Sequence, residues 1–309
     1  MKIVIITPLF EIEGAMKDHL KSRLPYVSFL REEEVEKADE VIAAIVDNTP
    51  NRRLNRYRNL QILFSLSAGV DNLLKDPSLP NVPIVKLINA NMRTLMAEYI
   101  LFHAIGIRRN FFQLQSLQAQ KKWIWFPLSP PIQTCKVTVL GLGRIGKYTA
   151  QMLSNLGFQV NGWSKCPKCI QGIKTYTGQD ALQGLLPHTD ILVCLLPLTQ
   201  ETNGLIGKKL LEKLPKGASL INAGRGECIV EEELIDIIEA GHLSYIVLDV
   251  FKEEPLPPTH KLWSYDNVII TPHLASSASS QSYTEELVQK IEAFSQGNSM
   301  DTVNLIEGY

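Results

Sequence analysis

The stretch VTVLGLGRIGKYTAQMLSNLGFQV, residues 137–160, constrains the fold more than any other part of the chain. An apolar run predicted as a strand enters glycines at 141, 143 and 146 and continues into a helix with an apolar side. Each glycine answers a separate steric demand. Gly141 lets the chain turn tightly off its strand, Gly143 leaves room for a pyrophosphate, and Gly146 lets the helix approach the sheet. Amides and the dipole at the helix start then meet negative phosphates. A bare G-x-G-x-x-G recurs by chance, but the strand before it and the apolar helix after it favour dinucleotide binding over a structural turn.

The choice of dinucleotide falls to the end of the next strand, in NGWSKCPKC, residues 161–169. Ser164 lies eighteen residues after Gly146, where an Asp or Glu accepts hydrogen bonds from the adenosine ribose in an NAD site. A serine does not repel a 2′-phosphate, and Lys165, with Lys168 as a lesser helper, attracts one. NADPH is expected in preference to NADH, with NADH possible; the plainer reading makes both lysines surface charges. Cys166 and Cys169 form one Cys-x-x-Cys pair, half of what a structural zinc site takes, and lack the helix-start setting of thioredoxin-like pairs. No metal is expected, and the two thiols read as bystanders.

The rest of the chain extends this α/β reading. In the first third, KIVIITPL, VIAAIV and QILFSLSAGV are short, nearly continuous apolar runs, with PIVKL as a further candidate. Runs of this kind, separated by turns and amphipathic segments, predict a parallel sheet covered on both faces. A long helix or helix pair is predicted from Ala97 to about Ala119, with Ile100, Leu101, His103, Ala104 and Ile107 on its apolar side and Arg108 and Arg109 in water. PLSPP then breaks regular structure, and strands are predicted near 136–140, 158–163, 190–195, 218–222, 245–249 and 268–270. A last helix is predicted from Ser279 to about Ser295, with a possible return to the first domain.

With 309 residues the chain is long enough for two domains. The 20% of charged residues and net charge of −1 call for neither nucleic acid nor an anionic membrane. The opening segment is too short and too soon acidic for a signal peptide, and no apolar run reaches about 18 residues, so cytoplasmic residence is expected. Five cysteines, among them Cys135, Cys194 and Cys228, lack framework spacing and read as reduced thiols.

A second group of polar residues falls at predicted strand ends: Arg225 in INAGRGECI, Glu254 in LDVFKEEPLP and His273 in ITPHLAS. An arginine holds a carboxylate through two parallel hydrogen bonds. A histidine donates a proton to a carbonyl oxygen as hydride reaches its carbon, and a carboxylate retains its imidazolium form. Together these make an economical keto-acid reductase; singly each has a plainer reading as a surface, loop or capping residue. No Ser or Cys sits in a nucleophile elbow, which argues against a hydrolase.

VLGLGRIG, LLPLTQETNGLI (195–206), INAGRG (221–226), LDVFKEEPLP (248–257) and TPHLAS (271–276), in this order, resemble the motif series of the D-isomer-specific 2-hydroxyacid dehydrogenases. GWSK and the terminal GY are most similar to bacterial glyoxylate/hydroxypyruvate reductases of the A type. The resemblance spans essentially the whole chain. It implies two α/β domains, flavodoxin-like and Rossmann-like, with parallel sheets and an active-site cleft between them: 1–97 with 279–309 as substrate-binding domain, and 98–278 as dinucleotide-binding domain. It further implies that Arg225 binds the substrate carboxylate, Glu254 pairs with His273, and His273 is the acid/base. Ala68, Gly69 and Val70 match a loop whose backbone amides hold the carboxylate. Beside Gly141, Gly143 and Gly146, the residues Arg144, Ile145, Ser164, Lys165, Leu196, Pro197, Ala223 and Asp249 match positions around the cofactor. The implied activity is NADPH-preferring reduction of small 2-keto acids, glyoxylate to glycolate and hydroxypyruvate to D-glycerate, by a homodimer. The alternatives are a non-enzymatic NAD(P)-binding sensor like the family's co-repressors, or a dehydrogenase for a larger keto acid. Two departures are ASS after the histidine and Lys165 where close relatives commonly have arginine.

Overall fold

The structure, a computed structural model, describes residues 1–7, 10–47, 53–88, 90–126, 130–277 and 280–303. The chain divides into two compact units, Met1–Asn91 with Ala278–Tyr309, and Met92–Ser277. No described helix is long and apolar enough to cross a membrane.

In the first unit the described residues form a five-stranded sheet. Its strands are β1 (Lys2–Ile6), β2 (Ser28–Arg31), β3 (Val41–Val46), β4 (Ile62–Ser65) and β5 (Ile84–Lys86), in the order β2-β1-β3-β4-β5 and all parallel. This is the flavodoxin-like order. Alternation along each strand divides the core between the two faces. Ile3, Ile5, Ile45 and Phe64 pack with Met16 and Leu20 of α1 (Phe10–Arg23), with Leu24 just after it, and with Leu287, Val288 and Ile291 of α9 (Ser280–Ser295). Val4, Ile6, Ala44, Val46 and Leu63 face the other way, onto Leu54, Tyr57 and Leu73, the last in α2 (Asp71–Leu74). The chain's final helix thus joins the unit that its first strand begins, and the Arg23 guanidinium meets the Glu285 carboxylate at 3.0 and 3.2 Å. β2 has no apolar run to betray it: SFLR is an edge strand that buries Phe29 and leaves Ser28 in water.

The second unit opens within α3 (Ala90–Arg108), which with α4 (Phe111–Ala119) forms a helix pair broken by Asn110 at φ +52°. α3 starts seven residues ahead of the predicted Ala97, because Met92 and Met96 already face the core. The second sheet, seven-stranded among the described residues, is built from β6 (Lys136–Leu140), β7 (Gln159–Trp163), β8 (Lys174–Tyr176), β9 (Ile191–Cys194), β10 (Ser219–Asn222), β11 (Ile246–Leu248) and β12 (Val268–Ile270). Every pairing is parallel and the order is β12-β11-β10-β9-β6-β7-β8. The chain therefore winds one way from β6 and then the other, with its switch point between β6 and β9, where α/β sheets bind ligands at the carboxyl ends of the strands. Val137, Val139, Val193 and Ile221 face α3 and α5 (Arg144–Leu156). Leu140, Leu192, Leu220 and Ile246 face α6 (Gln179–Leu185), α7 (Lys208–Leu211) and α8 (Glu231–Glu239). β8 escaped the sequence reading because KTY is short, polar and at the sheet edge.

Candidate active site

At the end of β6 the glycines are defined by what a side chain would meet. Gly141 has φ +95°, and a Cβ there would lie 2.6 Å from the Leu195 carbonyl oxygen. A Cβ on Gly146 would stand 1.8 Å from the Gly141 oxygen, so the first turn of α5 presses on the turn that precedes it. Gly143, which caps α5, meets nothing within 4 Å. The helix thus presents its first amides and positive dipole end over open space, a cradle that a pyrophosphate fits. Arg144 is exposed beside it, and Ile145 packs partly against the core.

The end of β7 carries the other half of this region. Ser164 is buried; its hydroxyl donates to the Cys166 carbonyl at 2.7 Å and its amide to the Tyr176 carbonyl at 3.1 Å. The Lys165 ammonium is exposed and lies 3.1 Å from the Glu201 carboxylate. Lys168, Cys166 and Cys169 are exposed on the same loop, whereas Cys135, Cys194 and Cys228 are buried, all five as free thiols. Burial raises the Cys135 thiol to about 11. Among the described residues no group of three or more His, Cys, Asp or Glu is arranged to hold a metal ion.

After β9 and β10, Leu196 and Ala223 are buried and Pro197 is half-buried, its carbonyl taking the Thr202 hydroxyl at 2.6 Å. Arg225 follows on a loop with little freedom. The buried Asn222 side chain donates to the Arg225 carbonyl at 3.0 Å and accepts from the Gly224 amide at 3.2 Å. A Cβ on Gly224 would meet the Leu196 oxygen at 2.7 Å, and one on Gly226 the Phe251 carbonyl carbon at 2.0 Å. The backbone around Arg225 is thus clamped, and its guanidinium, half-buried, donates to the Gly224 carbonyl at 2.7 Å.

Glu254 and His273 meet after β11 and β12. His273 Nδ1 lies 2.8 Å from Glu254 Oε2, and the other carboxylate oxygen accepts the Phe251 amide at 2.9 Å. A carboxylate only accepts, so Nδ1 is the donor in this contact. The Glu254 hydrogen bond raises the proton affinity of His273 above the ordinary histidine range, against burial and the Arg225 charge, with Asp249 adding to the rise. Burial pushes the Glu254 carboxyl up, but hydrogen bonds from His273 and the Phe251 amide outweigh it and hold the group below its usual range. Both shifts favour the imidazolium–carboxylate form of the pair. Arg225, Glu254 and His273 act on one another electrostatically within the second unit.

Asp249 is buried, with both carboxylate oxygens engaged: Oδ1 takes the Thr271 hydroxyl at 2.5 Å and the Leu274 amide at 2.9 Å, and Oδ2 takes the Ala275 amide at 2.9 Å. Its place is under the histidine loop. Thr271 also touches the Tyr99 hydroxyl at 2.7 Å. Asn222, Thr271 and Tyr99 were missed in the sequence; the available signal was a hydroxyl two residues before His273 and an Asn three before Arg225.

Ala68, Gly69 and Val70 follow β4 in the first unit. Val70 is buried and its carbonyl accepts the Leu74 amide at 2.9 Å; Ala68 and Gly69 are half-buried. The terminal residues Gly308 and Tyr309 lie outside the described residues, as do 127–129 of the PLSPP cluster.

The family model "D-isomer specific 2-hydroxyacid dehydrogenase, NAD binding domain" matches residues 101–275. A glyoxylate/hydroxypyruvate reductase A from Yersinia enterocolitica is 34% identical over the full length of both chains. A D-isomer specific 2-hydroxyacid dehydrogenase from Xanthobacter autotrophicus Py2, solved with NADPH and MES, superposes with a TM-score of 0.94 at 34% identity, covering 100% of this chain and 99% of that one. An NADPH-dependent glyoxylate/hydroxypyruvate reductase from Sinorhizobium meliloti, solved with NADP and sulfate, gives 0.92 at 29% identity, with coverage of 100% and 99%. With the glycine cradle, the clamped arginine and the histidine–glutamate pair at the carboxyl ends of one parallel sheet, these matches make the chain a member of the D-isomer specific 2-hydroxyacid dehydrogenase family.

Proposed function

We propose that the protein reduces small 2-keto acids, glyoxylate to glycolate and hydroxypyruvate to D-glycerate, with NADPH preferred and NADH accepted more weakly. The observation that carries this reading is the ion pair of Glu254 with His273 beside the charge of Arg225. Gly141, Gly143, Arg144, Ile145 and Gly146 would hold the pyrophosphate, with Leu196, Pro197 and Ala223 lining the rest of the cofactor's path; Ser164 and Lys165 would meet the 2′-phosphate. When bound, the reduced nicotinamide supplies a hydride to the keto carbon. Arg225 grips the substrate carboxylate and orients the ketone, with backbone amides of Ala68, Gly69 and Val70 as further donors. His273 delivers the Nε2 proton to the keto oxygen as charge develops there, and Glu254 keeps the imidazole charged and aimed beforehand.

Purified protein mixed with NADPH and a panel of 2-keto acids tests this reading. Rapid cofactor oxidation with glyoxylate and hydroxypyruvate is expected. Tight NADPH binding without turnover would favour the sensor reading, and turnover confined to bulkier acids would move the substrate to that class.

Lys165 shares its charge with Glu201, so its hold on a phosphate competes with an exposed ion pair. Lys165→Ala is expected to raise the KM for NADPH several-fold more than that for NADH, about 1 kcal/mol of discrimination. Ser164→Asp strengthens the reversal by repelling the phosphate and accepting from the ribose. Equal KM changes for both cofactors would sink the assignment.

A homodimer would cover the apolar surface of α3, α4 and the segment after them, where Phe102, Phe111, Leu114, Trp123 and Trp125 are exposed. Light scattering is expected to give twice the 34.7 kDa of one chain. A monomer mass at micromolar concentration would contradict the homodimer.

A further inference from the structure

The Tyr99 hydroxyl, Thr271 Oγ1 and Asp249 Oδ1 form a chain of contacts at 2.7 and 2.5 Å. Its direction follows from donor chemistry. A carboxylate only accepts, so Thr271 gives its single proton to Asp249 and must receive one from Tyr99. Tyr99 is itself fixed: its ring lies 4.2 Å from that of the buried His103, and a His103 Nδ1–H donates to the Tyr99 carbonyl at 2.8 Å. Burial raises the Tyr99 phenol well above the ordinary tyrosine range, so the hydroxyl stays a donor at any working pH.

At the other end of the chain, one residue ties three consecutive amides. The Asp249 carbonyl accepts from His273 at 2.9 Å, and its carboxylate accepts from Leu274 and Ala275 at 2.9 Å each. His273 itself has φ +55°, the left-handed region that few non-glycine residues adopt, and these bonds hold it there. That backbone turn sets where the imidazole points.

We propose that Tyr99 and Thr271 are positioning residues for His273: acting through Asp249, they lock the left-handed turn that keeps Nδ1 on Glu254 and Nε2 toward the substrate. This rests on the proposed role of His273 as proton donor. The charged groups that bear on the imidazole are Glu254, Asp249 and Arg225. Thr271 and Tyr99 carry no charge, so their replacement acts through geometry.

The test is a ¹⁵N NMR titration of the histidine side chains, with the His273 signal assigned from His273→Gln, run beside steady-state kinetics on Thr271→Val, Thr271→Ser and Tyr99→Phe. Thr271→Val is expected to bring the His273 midpoint down toward that of an ordinary histidine, because a loosened turn lets the ring leave Glu254. Its kcat is expected to fall about 10- to 100-fold with NADPH affinity unchanged. Thr271→Ser restores both, and Tyr99→Phe shifts both in the same direction by about threefold in kcat. A His273 midpoint and kcat that Thr271→Val leaves at wild-type values would overturn the proposal. If that variant does not fold, an unmoved midpoint in Tyr99→Phe overturns it equally. Absence of keto-acid turnover in the wild type would remove the reductase reading alone, since the titration reports on the turn without any reaction.

Discussion

His273→Gln is expected to lower kcat for glyoxylate reduction by about 10²- to 10⁴-fold, the usual worth of a positioned general acid. Glutamine retains bulk and a donor toward Glu254 but has no proton to release, so NADPH affinity should stay at the wild-type value. Glu254→Gln should fall between the two enzymes, because His273 remains while the contact that raises its proton affinity is gone. The variant kinetics separate chemistry from binding: a loss in KM alone would mean that His273 holds the ground state instead of donating the proton.

Arg225→Lys carries the second large effect. An ammonium keeps the charge but offers no planar fork, so the two parallel bonds to a substrate carboxylate become one at best. The loop that carries the residue does not readjust, since Asn222 clamps it and the neighbouring glycines leave no room for movement. A loss of about 2–4 kcal/mol in transition-state binding is expected, or about 30- to 1,000-fold in kcat/KM for the keto acid. The substrate should feel this far more than the cofactor. Steady-state kinetics at saturating NADPH check it, and a variant within about threefold of wild type would mean that another group holds the carboxylate.

What could be read from the sequence divides along physical lines. The strands of the second α/β unit and its glycine turn were legible because its central strands are continuous apolar runs and because only glycine satisfies the contacts at 141 and 146. β2 and β8 were not, since SFLR and KTY carry no apolar run, unlike the equally short edge strands β5 (IVK) and β12 (VII). Arg225, Glu254 and His273 were nameable as residue types at strand ends. Their support was not: the Tyr99–Thr271–Asp249 chain beneath His273 joins residues far apart in sequence, and Asn222, though only three residues before Arg225, has a side-chain amide that looks like any other in a one-dimensional string. Asp249 matched a position near the cofactor; its hold on the Leu274 and Ala275 amides left no mark in the sequence. Lys165 was read as a cation for a phosphate, and its partner Glu201 lies thirty-six residues on, out of reach of any local pattern.

The most direct test of the account is the pH dependence of the hydride-transfer rate for glyoxylate reduction, followed by NADPH absorbance in single turnovers. Reduction consumes the imidazolium, and Glu254 raises the proton affinity of His273; the fall in rate should therefore be centred above the ordinary histidine value of about 6.5. In Glu254→Gln the fall should begin at lower pH. A rate that is flat across this range in the wild type, or that falls at the same pH in both proteins, would contradict the claim that the Glu254–His273 pair supplies the proton.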